Sequence, residues 1–226
     1  EIQDMIIFLK KMGCNINFIG KRKILIIGTK DYKSVSHEII FDRIELGTYL
    51  IAAALVGKKI TFLKIKPKII ETEIKILKKM GVKMKIEKNK ITVSESVKLN
   101  SVNVKTEAYP GFPTDLQAQI MVLMLKAKGT SKIVENIFEN RFMHVPELRR
   151  MGAKIITKKN VAIISGSTNL SGAEVMATDL RASVSLVLAA LVADKRTIIN
   201  RVYHLDRGYE NLEKKLKKCK AIINRI

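Results

Sequence analysis

A helix-ending pattern that recurs four times restricts this chain more than any other feature. Leu9-Lys10-Lys11-Met12-Gly13 leads into residues 15–18 and 23–27, and Leu77-Lys78-Lys79-Met80-Gly81 leads into 83–87 and 90–93. Leu148-Arg149-Arg150-Met151-Gly152 leads into 154–157 and 161–164, and Leu216-Lys217-Lys218-Cys219-Lys220 leads into 221–226. Each copy puts basic residues in the last helical turn, ends the helix at a left-handed cap, and continues in short segments that read as strands. Glycine fills the cap three times; Lys220, which carries a Cβ, weakens the fourth.

The segments between these copies repeat as well. Asp42, Asp115 and Asp179 stand before apolar helices expected over 44–56, 116–125 and 182–192, followed by strands over 59–65, 131–135 and 196–200 and then by the second helix. The unit therefore reads β-α-β-α-β-β, and three of them occupy about 41–98, 99–166 and 167–226. Residues 1–40 read as the tail of a preceding domain, with 1–30 resembling the rear half of a further unit. The apolar helices are hydrophobic on nearly every side, the pattern of a helix with no solvent face. The fold class is thus α/β, with helices inside and sheets outside. Met121 and Met124 belong to this buried set as core filler.

The composition suits such a core, with 47% hydrophobic residues. The longest apolar run, 182–193, holds two serines and is too short to cross a bilayer, and no basic-then-apolar leader opens the chain. No membrane association is expected, and the expected compartment is the cytoplasm. The chain opens at Glu1 inside a helix expected over 1–12, so it reads as a fragment. Cys14 and Cys219 form no metal or redox motif and are expected to be unpaired thiols. A net charge of +21 raises nucleic acid as a partner. The lysines are scattered, however, aromatic residues make up 5%, and no aromatic-basic stacking pattern occurs, so solvated lysine faces are the better account. Such a surface still attracts small anions.

Three segments concentrate candidate chemistry: Gly111-Phe112-Pro113-Thr114-Asp115, the run from Phe138 through Arg141 to His144, and Asp206-Arg207-Gly208-Tyr209-Glu210. Arg43, Arg181 and Arg207 fall beside expected helix starts, where an unpaired cation is disfavoured by roughly 0.3–1 kcal/mol unless an anion compensates it. Thr114 and Asp115 read first as a helix cap; set between Pro110 and Pro113, the carboxylate is also well held to take a proton from a sugar hydroxyl. Asp179 and Arg181 read equally as a capping pair with a local salt bridge or as site residues. Arg141 either bridges Glu139 or Glu147 at the surface or binds a ligand. Arg207, beside Gly208, suits bidentate binding of phosphate or carboxylate, with the glycine allowing close approach. His144 reads as a satisfied core histidine. No P-loop or dinucleotide fingerprint is present.

Phe112-Pro113-Thr114-Asp115 through Gln119, Ile137 through Leu148, Met176 through Ser183 and Tyr203 through Glu210 together make the chain resemble the UDP-N-acetylglucosamine 1-carboxyvinyltransferase family, over roughly the C-terminal half of that family's chain. The resemblance implies an inside-out α/β barrel shared with the shikimate-pathway transferase. It also implies transfer of an enolpyruvyl group from phosphoenolpyruvate to the 3-hydroxyl of UDP-N-acetylglucosamine, with release of phosphate, in peptidoglycan precursor synthesis and so in cell-wall biogenesis, cell shape and division. By the same resemblance Asp115 contacts the attacking hydroxyl as candidate base, Ile137 contacts the sugar nucleotide through its backbone with Thr114 beside it, and Arg207 binds phosphoenolpyruvate. Arg43, Arg141, Asp179 and Arg181 line the cleft, Arg141 on the sugar-nucleotide side. No metal or organic cofactor is implied.

The family's proton-donating cysteine or aspartate loop belongs to the other half of its chain, and neither Cys14 nor Cys219 matches it. These residues alone are therefore expected to be inactive, the missing half being needed to complete the site. Ala193-Asp194-Lys195 and Cys219-Lys220 stand where the family has glycine, which puts the turn geometry in question. The competing readings are 3-phosphoshikimate 1-carboxyvinyltransferase, which the segments around Arg141 and Arg207 fit less well, a basic RNA-binding α/β module, and a remnant that folds without catalysis.

Overall fold

The computed structural model describes all 226 residues, which divide into two compact units, residues 1–42 and 43–226. In the first, α1 (Ile2–Lys11) runs into a hairpin of β1 (Asn15–Phe18) and β2 (Ile24–Ile27), with Asn15 opposite Ile27. Ile6 and Ile16 are its buried apolar residues. The segment beyond β2 is tied back by a Lys33 amide bond to the Met12 carbonyl and by His37 Nε2, 3.2 Å from Asp4.

The second unit begins with α2 (Arg43–Val56), β3 (Lys59–Leu63), α3 (Glu71–Lys79), β4 (Lys83–Glu87) and β5 (Lys90–Ser94). It continues with β6 (Asn103–Lys105), α4 (Gln117–Lys126), β7 (Thr130–Val134), α5 (Val145–Arg150), β8 (Ile155–Lys158) and β9 (Val161–Ser165). It ends with β10 (Glu174–Met176), α6 (Ser183–Ala190), β11 (Ile198–Asn200), α7 (Tyr203–Asp206) and α8 (Leu212–Lys218). The run from β6 to β9 is one full β-α-β-α-β-β unit, with β6 parallel to β7 and spatial order β6-β7-β9-β8. The order β3-β5-β4 repeats its last three strands, and the parallel pair β10-β11 repeats its first two. The sheets are hydrogen-bonded within themselves and not to one another.

Helices α2, α4 and α6 touch pairwise at the centre. Every residue of α4 from Gln117 to Leu125 is buried, and β7 and β9 alternate between core and solvent around them. Helices without a solvent face must lie inside, and strands of period two then supply the outer layer. The approach of α2 to α4 depends on Gly47, since a Cβ there would collide with Leu116.

All four helix-ending copies close in the same way. The amides of Cys14, Val82, Ala153 and Ala221 reach back to the carbonyls of Leu9, Leu77, Leu148 and Leu216, the six-to-one bond of a Schellman cap. Gly13, Gly81 and Gly152 hold φ of +100°, +92° and +91°, and Lys220 adopts +69° all the same. Lys195 likewise sits at +70°, so both turns keep the left-handed geometry that glycine would favour, at a conformational cost of about 1 kcal/mol each. Two expectations are corrected. Residues 221–226 form no strand, because a strand exists only through its ladder and no neighbouring strand pairs with them. The strand expected over 196–200 is shortened to Ile198–Asn200, following the left-handed turn at Lys195.

Lys220→Gly should stabilise the fold by about 0.5–1 kcal/mol, the relieved left-handed strain outweighing the added freedom of the unfolded chain. Gly47→Ala should cost about 1–2 kcal/mol, because repacking of the buried Leu116 exceeds the gain in helix propensity. Denaturant midpoints of the two variants measure both.

Candidate functional site

Residues 107–116 bring a carboxylate to the head of the most deeply buried helix. The Glu107 amide bonds the Phe112 carbonyl, Pro113 is extended, and a single 3-10 turn, Thr114–Leu116, precedes α4. Neither Thr114 nor Asp115 caps the helix with its side chain. Thr114 donates its hydroxyl to Glu135, at 2.9 Å, and the Asp115 carboxylate turns to two arginines. Arg141 Nη2 lies 2.7 Å from one oxygen and Arg181 Nε 3.5 Å from the other.

Each guanidinium also faces an aromatic ring. Arg141 Cζ lies 5.1 Å from the centroid of Phe138, and Arg181 Cζ 5.9 Å from that of Tyr209. The surface bridge from Arg141 to Glu139 or Glu147 therefore does not form; Glu147 instead accepts the Met176 amide at 2.8 Å. The capping half of the expectation for Asp179 and Arg181 is present, since Asp179 Oδ1 accepts the amides of Arg181 and Ala182 at 2.8 Å each. Ser183 Oγ accepts those of Thr178 and Asp179 in return. The local salt bridge is absent because the Arg181 guanidinium reaches Asp115.

Asp115, Asn140, Arg141, Asp179, Arg181 and Arg207 line an open depression of about 470 Å³, with Met143 and Leu180 as its apolar part. Three guanidinium groups against two carboxylates leave it one net positive charge. Arg207 has no ion pair or side-chain hydrogen bond. It does not stand at a helix start: it follows the one-turn α7 as C-cap, where the dipole favours a cation, so the expected penalty does not arise. Gly208 lets Leu180 pack close against the turn, as a Cβ there would push on Leu180 Cδ1 and approach Arg181 Nη1.

Thr114, Ile137 and Arg43 lie outside this lining. The Ile137 amide is committed to Glu135 at 2.9 Å, so a backbone contact to a ligand would fall to its carbonyl. Arg43 Nη1 pairs with the buried Glu73 at 3.2 Å, and its guanidinium lies over Tyr109, 5.2 Å from the ring centroid.

Three supporting residues escaped sequence reasoning. Gln119 Nε2 donates to the Asp115 carbonyl at 2.8 Å and lies 3.2 Å from Thr48 Oγ1 and 3.3 Å from the Tyr209 hydroxyl. Thr48 gives its proton to the Ile44 carbonyl, so in the 3.0 Å contact between the two hydroxyls Tyr209 is the donor. Burial raises the pKa of Tyr209, keeping it a donor. This buried chain joins α2, α4 and the α7–α8 turn beneath Asp115. The third, Glu135, had a readable signal: period two puts it on the same inward face as Ser131 and Ile133, pointing a carboxylate at the core.

His144 is buried, but it is not satisfied as expected, since neither ring nitrogen has a hydrogen-bond partner. Burial drives its pKa down to about 4, with Asp179 pulling it up and Arg141 down.

The model of the EPSP synthase family (3-phosphoshikimate 1-carboxyvinyltransferase) matches residues 1–216, and the chain belongs to that family of enolpyruvyl transferases. UDP-N-acetylglucosamine 1-carboxyvinyltransferase of Pelagibacter ubique (strain HTCC1062) is 57% identical over 226 residues, all of this chain and 54% of the relative. The protein of the same description from Rickettsia bellii (strain OSU 85-389) is 51% identical with the same coverage. Among solved structures, the enolpyruvyl transferase NikO from Streptomyces tendae superposes with a TM-score of 0.90 at 30% identity, over 99% of this chain and 54% of that one. EPSP synthase from Acinetobacter baumannii shares the fold, with a TM-score of 0.74 at 16% identity over 96% of this chain and 53% of that one. The chain spans about half the length of the relatives it matches.

The folded state keeps His144 neutral at pH values where the unfolded chain binds a proton. Stability should therefore be fully present above pH 6.5 and fall by roughly 3 kcal/mol as pH drops toward 4. Unfolding midpoints of His144→Leu across pH 4–7 should lack that part of the acid limb.

Proposed function

We propose that the complete protein transfers the enolpyruvyl group of phosphoenolpyruvate to the 3-hydroxyl of UDP-N-acetylglucosamine and releases phosphate. In this reading residues outside the chain complete the site, and these residues alone are inactive. The observation that carries it is the Asp115 carboxylate held between Arg141 and Arg181 at 2.7 and 3.5 Å, in a depression shared with the unpaired Arg207. Relatives 57% and 51% identical and described as that transferase support it.

The chemistry asks for both halves of this arrangement. As the sugar oxygen bonds the enol carbon its proton must leave, and Asp115 is the group proposed to take it. Phosphate and carboxylate charges must be fixed while the carbon–phosphate oxygen bond breaks, and preorganised guanidinium groups lower that barrier. Arg207 is assigned to phosphoenolpyruvate, because its fork suits a phosphate or carboxylate and no protein anion occupies it. Arg141, Thr114 and the Ile137 carbonyl are assigned to the sugar nucleotide, with Asp179 and Arg181 shaping the cleft; Arg43 is proposed to border it.

The reading requires neither metal nor organic cofactor and gives nucleic acid no role. No helix is long and apolar enough to cross a membrane, and a cytoplasmic location is part of this proposal. The +21 charge draws both anionic substrates toward the site.

Full-length protein should release phosphate from phosphoenolpyruvate only when UDP-N-acetylglucosamine is present, and Asp115→Asn should slow that release by about 10²–10⁴-fold. A coupled phosphate assay reads both. Sugar-independent release, or an Asn variant as fast as wild type, would sink the assignment.

A further inference from the structure

We propose that Glu135 is a positioning residue for this reaction, a single buried carboxylate that holds both members of the Asp115–Arg141 pair in place. The proposal rests on the function assigned above. Glu135 is 2% exposed, directly follows β7, and pairs with no cation. Such a charge is tolerated only where hydrogen-bond donors replace its water shell. Four do so. Oε1 accepts the Thr106 hydroxyl at 2.8 Å and the amides of Ile137 and Phe138 at 2.9 and 3.2 Å, while Oε2 accepts the Thr114 hydroxyl at 2.9 Å. The backbone of Glu135 is fixed as well: its amide donates to the Asn160 carbonyl and its carbonyl accepts Asn160 Nδ2.

Two routes lead from this carboxylate to the reacting pair. Through Thr114 it fixes the residue that immediately precedes Asp115 in the 3-10 turn. Through the amides of Ile137 and Phe138 it fixes the start of the loop in which the Phe138 ring lies beneath the Arg141 guanidinium. The 2.7 Å contact between Arg141 and Asp115 is thus triangulated from one buried anion. Arg207 lies on a different segment and receives no contact from Glu135.

Glutamine can keep much of this frame. Its oxygen accepts the amide pair, and the Thr114 hydroxyl, donor and acceptor alike, rotates to accept from its NH₂. Alanine offers neither.

The decisive measurement is steady-state kinetics of full-length Glu135→Ala and Glu135→Gln, varying each substrate separately, with hydrogen exchange at the Ile137 and Phe138 amides. In Glu135→Ala, kcat should fall on the order of 100-fold, the effect of misplacing reacting groups by about 1 Å. KM for UDP-N-acetylglucosamine should rise while KM for phosphoenolpyruvate stays within about threefold, and both amides should lose protection. Glu135→Gln should recover most of kcat and the protection. A folded Ala variant with wild-type kcat, equal impairment of Ala and Gln, or parallel changes in both KM values would overturn the proposal. An inactive wild type would instead remove the reaction assignment; lost protection in the Ala variant would then still uphold the carboxylate's hold on the loop, and retained protection would refute it.

Discussion

The mutual burial of three apolar helices governs residues 43–226. Helices α2, α4 and α6 touch one another, and α4 has no solvent face along Gln117–Leu125. Once these helices occupy the interior, the strands that alternate with them are driven outward, where β7 and β9 show one face to the core and one to water. The connections then emerge at the helix ends. The α4 end carries Asp115, the α6 end carries Asp179 and Arg181, and the α7–α8 turn carries Tyr209 close by.

Two networks of buried polar groups lie next to Thr114 and Asp115 at the depression, while the buried His144 stays without a partner. Thr48, Gln119 and Tyr209 form one directed chain of donors ending on the Ile44 carbonyl. Glu135 gathers four donors from three separate segments. Both networks contact the short stretch Thr114–Asp115, so a half-buried functional candidate rests on buried polar atoms. Such networks specify geometry more than they add stability, since each bond formed replaces one to water.

The fold was legible to the extent that it depends on local pattern. The helix-ending copies were readable because a left-handed cap after a basic last turn leaves a sequence trace, and Lys220 adopts the same φ without glycine because the six-to-one bond to Leu216 is made regardless. Residues 221–226 were misread, because a segment that follows the repeat pattern is a strand only when a neighbour supplies its hydrogen bonds. At the site, the candidates were chosen as helix-terminal charges, and that criterion misdescribed Arg207, which follows a helix instead of opening one.

Sequence alone determined the α/β repeat, the buried helices and the membership of Asp115, Arg141, Asp179, Arg181 and Arg207 in a short set of candidates, because period, capping and charge placement act over a few residues. Tertiary structure alone decided the partners. Arg181 turned from its neighbour Asp179 to Asp115, Arg43 turned to Glu73, and Gly208 served the packing of Leu180. Ion pairs and buried hydrogen bonds depend on distances between segments dozens of residues apart, and those distances exist only after the helices have packed.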